Sequence, residues 1–404
     1  MKQRTAFHKA MSFIAASIQQ TIEMSKPQQK FICWVFEKWI MLPVRHNFIN
    51  VYRYSNGEYS EKSIRHQFSR KINFLSWFEH AFFGLKEKDC VVAFDPSHIK
   101  KSGKHTYGKG KFWSGKDKQV KEGLEISCLA MVDVTDRTAY SMEVVQTPSA
   151  MQGKLMEHYV DIIKSRLDFI LPYTKYLAAD GYFMKSSFID PLTAEKLHII
   201  TKMRPDANLR YFYTGPQKKG KGRKKKYAGK VNVKNIDKRK WKPCYQDGFI
   251  EAYELIVWCV TLKQAVKVVY MQFKDTNRYA ILLSTDKELE GAKVIDYYQL
   301  RFQIEFLIRD AKQYTGLEEC QARSEIKLYN HFNMSMMTVS LMKYKCWATL
   351  TEKENIPFSM RSIKTWFYNK FLTETIFSNL GLELNCNKIK QLYSQCLNIG
   401  AMAA

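Results

Sequence analysis

Apolar and charged positions in the first 88 residues recur at helical spacing, as in FICWVFEKWIML and again through SIRHQFSRKINFLSWFEHAFF, with a polar break at YSNGEYSEKS between them. A helical N-terminal region is predicted. The pattern changes at Cys90, where CVVAFD reads as a short buried strand ending in an acid, followed by a long Gly/Lys/aromatic loop, HIKKSGKHTYGKGKFWSGKDKQVKEG. GLEISCLAMVDV and RTAYSMEVVQTP then read as a hairpin turning at Thr135 and Asp136, MQGKLMEHYVDIIKSRL as a helix, and YTKYLAAD as a short strand ending in a second acid. A short helix in SSFIDPLTAEKL and a strand in LHIITKM come next. Beyond the basic loop GPQKKGKGRKKKYAGK lie three strand-like runs, FIEAYELIVWCVTL, AVKVVYMQFK and RYAILLST. Helical spacing returns at ELEGAKVIDYYQLRFQIEFLIRDAKQY and continues toward Ala404. The expected architecture is α/β with an all-β, basic insertion, divided as 1–88, 89–203, 204–286, 287–318 and 319–404.

Length and composition sharpen this picture. The 404 residues, 46% of them apolar, suit about two or three domains. Sixty-four Lys and Arg against 39 Asp and Glu leave a formal charge of +25, a self-repulsion best offset by a polyanion, so nucleic acid is the first partner to consider. The most hydrophobic stretch, Leu255 to Met271, is broken by Lys263, Gln264 and Lys267, which argues against a membrane span. MKQRTAFHKAMSFIAAS lacks a signal-peptide core, and nine scattered cysteines without a C-x-x-C pair read as reduced thiols, so a cytoplasmic location is expected.

Two carboxylates at the ends of separate strands, Asp95 and Asp180, either begin turns, as D-P and D-G often do, or converge with other oxygen ligands on a divalent cation. A third acid enters through YYQLRFQIEFLIRDAK. Tyr298, Arg301, Glu305 and Lys312 lie at offsets of 0, 3, 7 and 14, which at about 100° per residue gather into one narrow stripe of a helix. Such a row is either a solvated, salt-bridged face or a set in which Glu305 ligates metal while Arg301, Lys312 and Tyr298 hold phosphate. Asp310 falls near 120° and is set aside.

The row Tyr298-x2-Arg301-x3-Glu305-x6-Lys312 resembles the signature of a large group of bacterial insertion-sequence transposases with a DDE triad, and FDPS at Asp95 and ADGYF at Asp180 resemble that group's other two acidic motifs, in the same order. The likeness runs from about Cys90 to Leu317. It implies a ribonuclease-H-like core interrupted by the all-β insertion and flanked by helical N- and C-terminal regions. It further implies two Mg2+ ions, with Mn2+ able to substitute, held by Asp95, Asp180 and Glu305. Double-stranded DNA at element ends and target, a homodimer on paired ends, cut-and-paste transposition and a nucleoid-associated place in a bacterial cytoplasm are implied as well. In relatives with this row, excision can pass through a hairpin with a base flipped onto an aromatic side chain. Trp258 and Trp241 are candidates for that contact, against a simpler reading of Trp258 as core and Trp241 as merely near basic residues.

Other segments keep two readings. Lys218, Lys219, Lys221, Arg223, Lys224, Lys225 and Lys226 form a solvated loop suited to phosphate. The loop Lys100 to Lys121, holding Tyr107, Phe112 and Trp113, is either a plain surface loop or a flexible strand closing over DNA near Asp95. Ser60, Ser63, Arg65 and Arg70 suit a helix against a phosphate backbone or a solvated helix equally. Glu125 could face the site, Asp133 begins a turn, and His98 is a loop hydrogen-bonder or, less simply, a ligand. A transposase-derived protein that binds without cutting, and a metal-dependent nuclease without strand transfer, remain as alternatives.

Overall fold

The computed structural model describes residues 2–401 except Ile22, Lys218, Lys221, Asp275, Asn277 and 348–357. The N-terminal helices are α1 (Lys2–Gln20), α2 (Lys26–Met41), α3 (Phe48–Arg53), α4 (Glu61–Gln67) and α5 (Phe74–Ala81). The run predicted as one helix from Ser63 to Phe83 is therefore two. Asn73 caps α5 by accepting from the Ser76 N–H, and the Asn330 side chain takes the Phe68 and Arg70 carbonyls and the Ile72 N–H, so the backbone between α4 and α5 is satisfied without helix. Ser60 caps α4, and Arg65 pairs with Glu61 inside it.

The strands are β1 (Cys90–Ile99), β2 (Gly110–Ser114), β3 (Gln119–Asp133), β4 (Thr138–Thr147), β5 (Tyr176–Ala179), β6 (His198–Lys202), β7 (Leu209–Phe212), β8 (Tyr227–Lys230), β9 (Lys242–Gln246), β10 (Ile250–Cys259), β11 (Gln264–Phe273) and β12 (Tyr279–Ser284). They share one sheet in the order β2-β3-β1-β5-β6-β12-β11-β10-β7-β8, with β4 on β3 and β9 on β10. β3 is antiparallel to β1 and β4, whereas β5 and β6 join β1 in parallel through crossovers that carry α6 (Leu155–Lys164), α7 (Leu167–Ile170) and α8 (Ser186–Thr193). The β-rich segment is continuous with the rest: β12 pairs with β6, so the strands read as an insertion extend the same sheet. The result is a mixed α/β fold around a large, mostly antiparallel sheet.

The hairpin at Thr135 and Asp136 forms as its sequence suggests, with Arg137 at φ 49° and the buried Asp133 carboxylate accepting the Thr135 and Asp136 N–H groups. The long loop after β1 departs from expectation. Residues 110–123 are an ordered hairpin of β2 on the far end of β3. Phe112 is buried, and the Gln152 side chain donates to the Lys111 carbonyl.

The helical period after β12 yields α9 (Gly291–Leu300) and α10 (Gln303–Tyr314) in place of a single helix. Arg301 and Phe302 keep helical dihedrals, but the N–H groups of Phe302, Ile304 and Glu305 bond three residues back, to Gln299, Arg301 and Phe302. This tighter turn breaks the α pattern without proline or glycine. α11 (Glu325–Leu341) then runs through the centre of the molecule, buried on nearly every side. Its Asn333 and Ser340 side chains bond Val144 and Ser141 and so cover the open edge of β4. Last come α12 (Met360–Asn379) and α13 (Asn387–Leu397), and the buried apolar residues of all these elements form a continuous core. Among the described residues no helix is long and apolar enough to cross a membrane.

Candidate active site

β1 is buried from Cys90 to Phe94 and opens at Asp95, which sits half-buried in mid-strand; the strand does not end in this acid as its sequence suggested, nor does a turn begin there, because pairing with β3 continues from Pro96 to Ile99. Phe94 stands beside Ala179 in the parallel register, so Asp95 and Asp180 follow one another on adjacent strands at the carboxyl end of the parallel pair. Hydrogen bonds pin the second position: the Asp180 carbonyl accepts from the Thr201 hydroxyl of β6 and from the Phe183 N–H, while the Asp180 side chain is left exposed. Beneath the pair, Phe94 packs on Phe183 with ring centroids 5.4 Å apart.

α10 lies over β1 and β3 and brings the third acid. Glu305, with its side chain 40% exposed, accepts from the Arg301 guanidinium at 3.2 Å across the tight turn. Arg301 is almost fully buried, and its Nε has no hydrogen-bond partner. Lys312 donates to the His98 carbonyl at 3.1 Å and pairs with Glu318 at 3.1 Å. Tyr298 stacks beside Arg301, whose guanidinium stands 5.8 Å from the ring centroid.

Electrostatics ties these groups together. Burial pushes the Asp95 carboxyl up to about 7; Arg301 opposes the rise, Glu305 and Asp180 add to it, and Lys312 opposes it again. Burial likewise raises the Tyr298 phenol, with Arg301 lowering it and Asp180 and Glu305 raising it. The tight turn therefore does not scatter the predicted row. Arg301, Glu305 and Lys312 remain within electrostatic reach of Asp95, and Tyr298 within reach of Asp180.

Among the described residues no three ligating side chains are already gathered closely enough to enclose a cation. The donor set nevertheless suits a hard divalent ion. Three carboxylates lie within electrostatic reach of one site, Asp95 is raised first by burial and then by the charges of Glu305 and Asp180, and Glu305 pairs with Arg301.

Other candidates fall elsewhere. Asp310 is buried against Arg309 and Lys343, away from the acids. Glu125 stands opposite His98 on a rung that faces the other side of the sheet from Asp95, and it accepts from Tyr159 of α6. Asp133 is buried on Lys88. His98 places its Nε2 in a buried position without a partner.

Trp241 is a correction: it is 3% exposed, donates to the Tyr211 hydroxyl at 3.3 Å and meets Tyr270 edge-on, so it presents no ring face to a base. Trp258 is half-buried on β10 rather than core, beside the rings of Tyr227 and Phe212. Next to it opens a cleft of 770 Å³ whose basic lining includes Arg210, Arg223, Lys224, Lys225, Lys226 and Lys230. Lys219 is exposed on the same loop, and Lys218 and Lys221 lie outside the described residues.

Two supporting residues escaped the sequence reading. Thr201 holds the Asp180 backbone from β6, and Glu318 holds Lys312 from beyond Gly316, whose φ of 74° turns the chain back. Neither interaction has a spacing rule that a sequence would reveal.

No curated protein matches this chain. Among solved structures the chain is similar to the cryo-EM structure of the piggyBac transposase synaptic complex with hairpin DNA, at 14% identity and a TM-score of 0.41, covering 98% of this chain and 83% of that one. The model of the family described as the transposase DDE domain matches residues 86–341, well over half of the chain, from just before β1 to the last residue of α11. The chain belongs to the DDE transposase domain family.

Proposed function

We propose that this protein is a cut-and-paste DNA transposase of the bacterial insertion-sequence type, cutting element ends and joining them to target DNA at Asp95, Asp180 and Glu305. The single observation that carries this reading is the placement of Asp95 and Asp180 on adjacent parallel strands, with the Arg301–Glu305 pair and Lys312 of the helix above brought against the same strand. A ribonuclease-H-like core is supported by the strand order β4-β3-β1-β5-β6, in which the first three are antiparallel and the last two join in parallel.

Two Mg2+ ions, or Mn2+ in their place, would be held by Asp95, Asp180 and Glu305 and would supply activation of the attacking oxygen and stabilisation of the leaving one. Around them, Arg301 offers its unpartnered Nε to a phosphate oxygen, Lys312 adds a point charge, and Tyr298 donates its hydroxyl. A water attacks phosphorus in line during nicking, and the freed 3′-hydroxyl does so during joining; no side chain becomes covalently attached. Arg301 can keep Glu305 on one terminal nitrogen while its Nε meets phosphate, because a guanidinium carries five N–H donors. The exposed Lys219, Arg223, Lys224, Lys225 and Lys226 hold duplex backbone away from the cut, with Trp258 at the edge of their cleft available for stacking. A homodimer on paired DNA ends, without membrane attachment, completes the proposal.

Incubation of the protein and Mg2+ with a plasmid carrying the DNA that flanks its gene tests the reading. Joined products are the expected result. Nicks alone would replace transposition by simple nuclease action, and binding with no metal-dependent cutting would leave a non-cutting DNA-binding protein.

A further inference from the structure

The ordered β2–β3 hairpin lies apart from the acid cluster and from the basic cleft beside Trp258. Its segment from Lys100 to Lys121 carries eight lysines and a single acid, Asp117. On its outer face Trp113 and Val120 stand directly opposite one another and are 59% and 58% exposed. Large apolar side chains side by side on an exposed edge hairpin invite aggregation unless a partner covers them. Here they are surrounded by exposed Lys111, Lys116 and Lys118, which suits a polyanion with an apolar interior.

Register places this pair with respect to the acids. Asp95 stands opposite Cys128 on β3, and Trp113 opposite Val120. Side chains alternate with a period of two, so Cys128 and Val120, eight residues apart, lie on the same face of β3, and their rung partners Asp95 and Trp113 share it. The hairpin also leaves the sheet beyond the carboxyl end of β1, the end at which Asp95 and Asp180 are found. That stretch of strand spans about 27 Å, the rise of roughly eight base pairs. Packing and hydrogen bonds fix the hairpin in this position. Phe112 is buried beneath it, the Tyr107 N–H donates to the Arg323 carbonyl, and Gln146 donates to the Tyr107 carbonyl.

We infer that Trp113 and Val120 form an apolar wedge that meets duplex DNA about eight base pairs from the scissile phosphate, with Lys111, Lys116 and Lys118 on the flanking phosphates. The inference rests on the transposase reading in that the duplex is the one cut at Asp95.

A fluorescein-labelled duplex of about 40 bp, bound in EDTA to prevent cutting, tests it through Trp113→Ala, Trp113→Phe and the double variant Lys116→Gln with Lys118→Gln. Trp113→Ala should weaken binding about tenfold at every salt concentration, leaving the salt slope unchanged, and Trp113→Phe should recover most of the loss. The double lysine variant should instead flatten the slope by about 2. Because Trp113 is exposed, the melting temperature should not move, which removes misfolding as a cause. Unchanged affinity of Trp113→Ala would overturn the wedge, as would loss of self-association with DNA affinity intact, which would assign the surface to a second copy of the chain. Failure of the wild-type protein to cut plasmid with Mg2+ would count against the transposase reading alone, because wedge binding is measured without metal.

Discussion

The two ends of α10 are built on opposite principles. At its C-terminal end the backbone carbonyls that leave the helix find partners: the Thr315 carbonyl accepts from the Trp39 indole and the Ser335 hydroxyl, the Tyr314 carbonyl from Lys364, and the Gly316 carbonyl bonds the His331 ring. There an acid is stabilised as a charge. Although burial raises it, hydrogen bonds from the His46 ring and backbone N–H, with the charges of His46 and Lys364, hold Glu319 down to about 2. At the N-terminal end Arg301 Nε is buried and unpaired, the turn is tightened, and Asp95 is pushed up to about 7. One helix is thus anchored where helices from both termini grip it and left unsatisfied where it meets the acids of the parallel strands. Polar groups that the fold itself does not satisfy are held ready for a ligand.

The largest test of this contrast is Glu305→Gln. Cleavage with Mg2+ should fall by about three orders of magnitude or more while DNA affinity in EDTA stays near wild type, because the carboxylate serves chemistry and not folding. Retained cutting would remove Glu305 from the site.

At the anchored end, Glu319→Gln should cost about 1–2 kcal/mol of stability at pH 7 in urea titration, after discounting for the part of the carboxylate that water reaches. The sign follows from its lowered pKa. The unfolded chain binds more protons between about 2 and 4.5, so the stabilisation is complete above 4.5 and disappears as pH falls toward 2.

Asp95→Asn should act in reverse, raising the melting temperature of the metal-free protein by a few degrees at about pH 8. The folded carboxyl keeps its proton to about 7 against an ordinary value of 3.8, so its ionisation destabilises the fold as pH rises through that interval. Below about pH 4 the variant and wild type should melt together. A variant that melts lower than wild type in the alkaline sample would mean that Asp95 is structurally paired.

The smallest effect is expected far from both ends. Replacing Lys219, Arg223, Lys224 and Lys225 by glutamine should reduce the salt slope of duplex binding by about 1 for every phosphate no longer neutralised, with the cleavage rate of bound DNA unchanged. An unchanged slope would take the loop off the DNA.

Much of this arrangement could be read from the chain because local chemistry writes it there. The buried run ending at Asp180 marks a strand end, the one ending at Asp95 marks where a longer strand leaves the core, and the 3, 7 and 14 offsets from Tyr298 keep four polar side chains within reach of both acids even though the helix tightens at Arg301 and Phe302. That tightening carries no proline or glycine and so left no mark. Long-range pairings were equally silent. Nothing near Trp39 announces that its indole caps Thr315, 276 residues later, and nothing around Trp241 tells that Tyr211 and Tyr270 enclose it. The hairpin at 110–123 was obscured by its own glycines and lysines, which read as loop until Phe112 is seen buried below it.

The mechanism stands or falls on Asp95, Asp180 and Glu305 meeting around bound cations. To test that convergence, the protein is loaded with Fe2+ in place of Mg2+, hydroxyl radicals are generated, and the positions of backbone cleavage are mapped. Cuts near residues 95, 180 and 305, suppressed together by excess Mg2+, are expected. Cuts that spare any one of the three, or that persist undiminished in Mg2+, would refute a shared metal site.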